Sequence, residues 1–297
     1  MNKAVDTKRQ GFRPDINIKS VRMIARLLIK ILGVNGRSRW GNEFIQAIDK
    51  GTTFKNPLDE YSQLKAIAGH GRLYWRYKDT PKLEWETNDW INTFTKGKTF
   101  YDIGSNVGVY SLMAVQTKSN NVVSFEIDPL NASIQHQNIY SNNMQESILL
   151  LPIGLSDYTS VRDIHFKTIS EGDALHSIDE ISPSVAEENR EKTIKGQIAT
   201  FKLDELISIM GLPAPSYVKI DVDGAELKIL KGMESCLSTV ESAMVEVDNG
   251  SFSDVWDFLR SLGFELVQEY PVHGNSEGSR NILFRNLSCQ PKTGDMK

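Results

Sequence analysis

Cysteine is scarce in these 297 residues: Cys236 and Cys289 stand far apart, outside any Cys-x-x-Cys or Cys/His grouping. That argues against a disulfide framework or a zinc site and fits a reducing, cytoplasmic setting. No uninterrupted apolar run reaches the roughly 18 residues needed to span a bilayer, and the basic start of the chain is too charged for a signal-peptide apolar region. A basic excess is missing too. Lys and Arg number 34 against 38 Asp and Glu, a formal net charge of -4, which gives no global reason to expect nucleic acid as a partner. Internal repeats and low-complexity tracts are absent, which sets aside solenoids and biased tails.

What remains, 40% hydrophobic and 24% charged residues, is globular material long enough for one large domain and an extension. The extension is read as residues 1–95 and the domain as residues 96–290. Basic residues crowd the start of the chain. Between residues 17 and 33, Lys19, Arg22, Arg26 and Lys30 recur at spacings of three and four, and Ile18, Val21, Ala25, Leu28 and Leu32 keep the same period on another side. This predicts a basic amphipathic helix that either packs its apolar stripe on the main domain or lies peripherally on an anionic membrane surface. From Asn42 to Thr95 the chain is polar and rich in aromatics. Helical periodicity is expected at Glu60 to Ala68 and Glu84 to Phe94, with a strand-like alternation in RLYWRY between them. Trp75, Trp85 and Trp90 either cap the core or form a platform for a sugar ring.

After Lys98 short apolar runs end in Asp, Gly or Glu and each precedes a helix-compatible stretch: TFYDIGS, VVSFEID, ILLLPIGLSD, YVKIDVDG, SAMVEVDNG. Alternating strands and helices imply a doubly wound, mostly parallel α/β sheet, whose ligands bind beyond the carboxyl ends of the strands. Asp102, Glu126, Asp157, Asp221 and Glu246 sit at those ends. FELVQEY and NILFRN are joined by too few residues for a crossover helix, so a C-terminal antiparallel hairpin is expected. An insertion at about 160–200 pairs VRDIHFKTI with KGQIATFKL around a polar, acidic loop.

Gly104, Ser105, Asn106, Val107 and Gly108 form a glycine-bearing turn between strand and helix, a place where backbone N–H groups face a ligand. Such turns serve NAD, FAD and S-adenosylmethionine alike, or are merely structural. This one lacks the third glycine of the dinucleotide fingerprint and the Gly-Lys-Ser/Thr of a phosphate loop. Glu126 follows about twenty residues on, where a carboxylate accepts ribose hydroxyls. Asp102 discriminates, since a carboxylate there repels a pyrophosphate and suits the cationic end of S-adenosylmethionine. Asp157 either accepts from the adenine amino group or caps its loop.

DIGSNVGVYS, SFEIDPLN, LDEL and VKIDVDGAELKILKGM together resemble the FkbM-type S-adenosylmethionine-dependent methyltransferases, over about Thr99 to Glu246. The resemblance implies a seven-stranded class I (Rossmann-like) methyltransferase fold, S-adenosylmethionine as cofactor, and methyl transfer to oxygen, commonly on a sugar or polyketide. Asp223 stands where that family is expected to carry Glu. The Asp-x-Asp of Asp221 and Asp223 then reads as coincidence, with Asp221 beside the reacting methyl and no metal. Asp221 is the first candidate base and Glu246 the second. Glu226 either joins the site or favours its helix N-terminus. His165 and His176 serve as bases if the insertion folds over the site, and are otherwise surface residues. Lys219 is a site or core-edge residue. The acceptor is a small molecule or glycan, with no nucleic acid; the oligomeric state is not encoded legibly. Rival readings are a metal-dependent nucleotide-sugar glycosyltransferase using Asp221 and Asp223, a nicotinamide oxidoreductase using the same turn, and a non-catalytic docking scaffold.

Overall fold

The runs ending in acids become the strands of one sheet. The computed structural model describes residues 53–55, 64–67, 71–78, 80–118, 121–166, 170–174, 176–179, 193–271 and 278–289. The basic segment 17–33 lies outside the described residues, as does most of the acidic loop of the insertion. In chain order, β1 (Thr53–Lys55) and β2 (Lys65–Ile67) form an antiparallel pair. β3 (Thr99–Ile103), β4 (Asn121–Phe125) and β5 (Ile148–Leu151) begin the main sheet. β6 (Gly154–Leu155), β7 (Ser160–Phe166), β8 (Ser177–Ile178) and β9 (Ile194–Phe201) form a second sheet in the order β6-β9-β7-β8. β10 (Tyr217–Ile220), β11 (Ser242–Val247), β12 (Phe264–Pro271) and β13 (Arg280–Asn286) complete the first.

That first sheet has seven strands in the order β12-β13-β11-β10-β3-β4-β5. β3 through β11 pair in parallel, and β13 inserts antiparallel between β11 and β12. This is the expected class I methyltransferase arrangement, closed by the expected hairpin. Strand order reverses between β3 and β10, which places the ligand site beyond their carboxyl ends.

The helices are α1 (Gly71–Lys78), α2 (Thr80–Leu83), α3 (Trp85–Asn92), α4 (Val109–Lys118), α5 (Pro129–Ser141), α6 (Leu203–Met210), α7 (Glu226–Gly232) and α8 (Phe252–Ser261). Both faces of the sheet are covered, so the central strands are buried throughout and read as apolar runs rather than alternations. Along β10, Val218 and Ile220 join the core with Leu230, Val245 and Leu259, while Tyr217 joins that of Phe94, Phe100 and Met244. Period-two geometry therefore puts Lys219 on the Tyr217 face, where it is buried. That placement matters for the site.

Three expectations from the N-terminal segment and the third run change. RLYWRY is helical, in α1, because Leu73 and Tyr77, four residues apart, are both buried. Trp75 between them is exposed, and the apparent period of two was accidental. The described part of Glu60 to Ala68 is strand, with Lys65 N and Ile67 N donating to Asn142 Oδ1 (2.7 Å) and Asn138 Oδ1 (2.8 Å). ILLLPIGLSD divides, sending β5 to the main sheet and β6 to the second. Of the tryptophans, Trp90 packs edge-on against Phe94 and Phe100 and donates its indole N–H to Ser242 Oγ (2.9 Å). Trp75 and Trp85 are exposed.

Candidate active site

The turn after β3 and the turn after β10 touch. Gly104 has φ +80°, and a Cβ there would lie 2.0 Å from the carbonyl oxygen of Asp221. No other residue type fits that approach. At Gly108 a Cβ would meet the Gln135 side chain, and Ser105 Oγ donates to Gln135 Oε1 (2.8 Å), fastening the turn to α5. Asn106, also at positive φ, donates its backbone N–H to Glu126 Oε2 (2.6 Å). The other Glu126 oxygen accepts from Asp128 N (2.7 Å). Burial pushes the Glu126 carboxyl up to about 7, although these two N–H donors and His176 oppose it.

Beside this turn lies a cleft with mainly apolar walls: Ile103, Phe125, Ile127, Ile153 and Leu155 on one side, Val222, Ala225 and Ile229 on another. Gly104, Gly154 and Asp223 also line it, and the insertion closes it with His176, Ser177 and Ile178. Such a slot suits a flat heteroaromatic ring.

The sequence-predicted acids are divided by the fold. Asp157 is not among the residues lining the cleft; it lies beyond β6, accepts from Ser156 Oγ (3.0 Å), and sits near Gly232 of α7. Asp102 is buried beneath the turn, accepts from Ser111 Oγ (2.5 Å), and is raised by burial against the Lys219 charge. Glu226 turns back to accept from Gly224 N (2.9 Å), bracing the loop that carries Asp223, and burial pushes it up to about 7. Asp221 and Asp223 diverge: the first pairs with Lys219 Nζ and the second lines the cleft.

Asp221, Glu246 and Lys219 do meet. Burial opposes charge on Asp221, yet the Lys219 ammonium and hydrogen bonds from Lys219 and Glu246 hold its carboxyl below the usual range. Glu246 is pushed the other way, by burial and by the Asp221 charge. One carboxylate of the pair is thus ionised and the other carries the shared proton. Lys219 is held above its ordinary value: burial works against its charge, but Asp221, Glu84 and Asp102 outweigh it.

Glu84, Tyr110 and Arg76 complete this cluster and were not singled out from the sequence. Tyr110 Oη donates to Glu84 Oε2 (2.8 Å), and Lys219 Nζ lies 5.0 Å from the centre of the Tyr110 ring. Burial raises the Glu84 carboxyl, with Lys219 opposing. Tyr110 stood within the quoted turn motif, so its position was the available signal. Glu84 and Arg76 belong to the N-terminal segment, where nothing local separates them from helix-surface charges. His165 lies on β7, in register with Lys195 and Ser177. The His176 side chain, by contrast, is buried, its Nε2 3.0 Å from Asp128 Oδ2.

The Methyltransferase FkbM domain model matches residues 102–266. The chain is 33% identical over 152 residues to the hexuronic acid methyltransferase AglP of Haloferax volcanii, covering 50% of this chain and 56% of that protein. It therefore spans little more than half the length of this curated relative. Among solved structures it is similar to TrmK of M. capricolum bound to S-adenosyl-homocysteine (10% identity, TM-score 0.43, 69% of each chain). Another is Trm5b of Pyrococcus abyssi (11% identity, TM-score 0.46, 79% of this chain and 56% of that one). Among the described residues no helix is long and apolar enough to cross a membrane. With its matched region spanning both touching turns, the chain belongs to the Methyltransferase FkbM domain family, and its core is an S-adenosylmethionine-dependent methyltransferase domain.

Proposed function

We propose that the protein methylates a hydroxyl group of a sugar or glycan. The observation that carries this reading is the Lys219–Asp221–Glu246 cluster, set where Asp221 meets the Gly104 turn. The residues present fit S-adenosylmethionine: an apolar slot for adenine, Glu126 beside it for ribose hydroxyls, and a turn whose missing Cβ leaves room for close approach. When bound, the cofactor supplies an electrophilic methyl group on a sulfonium.

A sugar hydroxyl is a weak nucleophile at neutral pH and gains from a base and from fixed orientation. Asp221, kept ionised by Lys219, accepts the hydrogen bond of the acceptor hydroxyl and takes its proton. Lys219 lowers the basicity of Asp221 while fixing its position, so orientation carries much of the effect. Glu246 holds the one proton of the pair and keeps the two carboxyls from repelling each other. Glu84 and Tyr110 lie on the Lys219 side of this cluster and are read as its acceptor side. The relative AglP acts, by its name, on a hexuronic acid, which supports a saccharide acceptor. Surplus carboxyl groups here disfavour an acceptor carboxylate at the reacting position and favour a hydroxyl.

The test is transfer of labelled methyl from S-adenosylmethionine to a panel of neutral and uronic-acid saccharides. Label in an alkali-stable ether supports the reading. Label in an alkali-labile ester, or none on any saccharide, contradicts it.

A further inference from the structure

The insertion does more than extend the sheet. Residues 170–174 are fastened to three separate parts of the chain: Asn131 of α5 accepts from Gly172 N (2.7 Å) and donates to Asp173 O (3.0 Å). Asn106 of the glycine turn donates its amide to the same Asp173 oxygen (2.7 Å), and Arg76 Nε donates to Gly172 O (3.1 Å). The strap thereby runs over the turn that holds Glu126 and delivers His176 to the cleft wall.

His176 is the unusual group there. Its side chain is 6% exposed and lies against the Phe166 ring, 5.2 Å between centres. Nε2 is near Asp128 but off the hydrogen-bonding direction, and Nδ1 has no hydrogen-bond partner among the described residues. A buried imidazole left without a directed hydrogen bond is costly and rare in a purely structural role. Its neighbours explain it better as half of a contact. Apolar walls flank it, and the same cleft is lined by Phe125 and Ile127, the chain neighbours of Glu126, the carboxylate placed for ribose hydroxyls.

We propose that the strap formed by residues 170–174 and 176–179 closes over the adenosine part of the cofactor, and that His176 is a cofactor-contacting residue hydrogen-bonding to that nucleoside. The nucleoside grip then comes from the insertion as well as from the strand ends, and Asp157, outside the cleft, is not needed for it. This rests on the cofactor reading but not on the identity of the acceptor.

Calorimetric titration with S-adenosylhomocysteine, on the wild type and on His176→Phe, tests it. Phe keeps the ring against Phe166 and removes both nitrogens. Expected is binding by the wild type, weakened by about tenfold or more in His176→Phe, as the loss of a buried hydrogen bond implies. Should the variant not fold, imidazole NMR of the wild type decides, since five histidines give few resonances. The His176 signal, assigned by exclusion with single variants of the other four histidines, is expected to move on saturation. Equal affinity in both proteins, or an unmoved His176 resonance in a saturated wild type, overturns the proposal and leaves the cofactor reading intact. Failure of the wild type to bind overturns both.

Discussion

The carbonyl oxygen of Asp221 occupies the space where any side chain on Gly104 would begin. Two strand ends more than a hundred residues apart in the chain are thereby locked into one site, with the cofactor turn on one and the proposed base on the other.

Gly104→Ala is expected to be among the most damaging small substitutions in the chain. It combines a positive φ with an overlap against backbone, which flexible side-chain motion cannot relieve. A loss of more than about 2 kcal/mol in chemical denaturation, or insoluble protein, is expected. Near wild-type stability would mean that the two turns are not in contact.

Glu226→Gln should stabilise the protein at alkaline pH. The folded pKa of Glu226, about 7, is raised above the ordinary 4.5 of the unfolded chain, so the native state binds the extra proton. That stabilisation is complete below pH 4.5 and lost as pH rises through 7. Gln keeps an acceptor for Gly224 N and never ionises. At pH 8 it should gain on the order of 2–3 kcal/mol, shrinking toward zero as pH falls, measured by thermal unfolding across pH. A constant difference at every pH would refute the assignment.

Lys219→Met removes the charge that holds Asp221 low. The Asp221 pKa should rise, so the acid limb of the kcat/KM profile should move to higher pH while S-adenosylhomocysteine affinity changes little. An acid limb that stays in place would separate Lys219 from the titration of the base.

Glu84→Gln probes the acceptor side. Losing a carboxylate beside Tyr110 and Lys219 is expected to raise the acceptor KM by about tenfold, with cofactor affinity unchanged, as for one charged hydrogen bond. A change confined to cofactor binding would remove Glu84 from the acceptor site.

The main sheet was legible because its central strands are apolar on both faces and stop at acids, a pattern that survives without tertiary information. The same pattern puts Asp102, Gly104, Glu126, Asp221 and Glu246 at or beside strand ends, where the structure has them. What was hidden depended on contacts distant in sequence. α1 looked like a strand until its Leu73–Tyr77 face met the core. Glu84 and Arg76 resembled ordinary helix charges, and His176 resembled a surface histidine on a polar insertion. Asp157 looked like a cleft residue because ILLLPIGLSD read as one strand, whereas the chain leaves the main sheet after Leu151.

The most direct measurement is methyl transfer by Asp221→Asn, paired with calorimetry of its S-adenosylhomocysteine binding. Affinity within about threefold of wild type, with turnover on the saccharide acceptor lowered by a hundredfold or more, is the predicted result, in the range of a lost general base. Turnover at the wild-type rate would show that Asp221 takes no part in the chemistry.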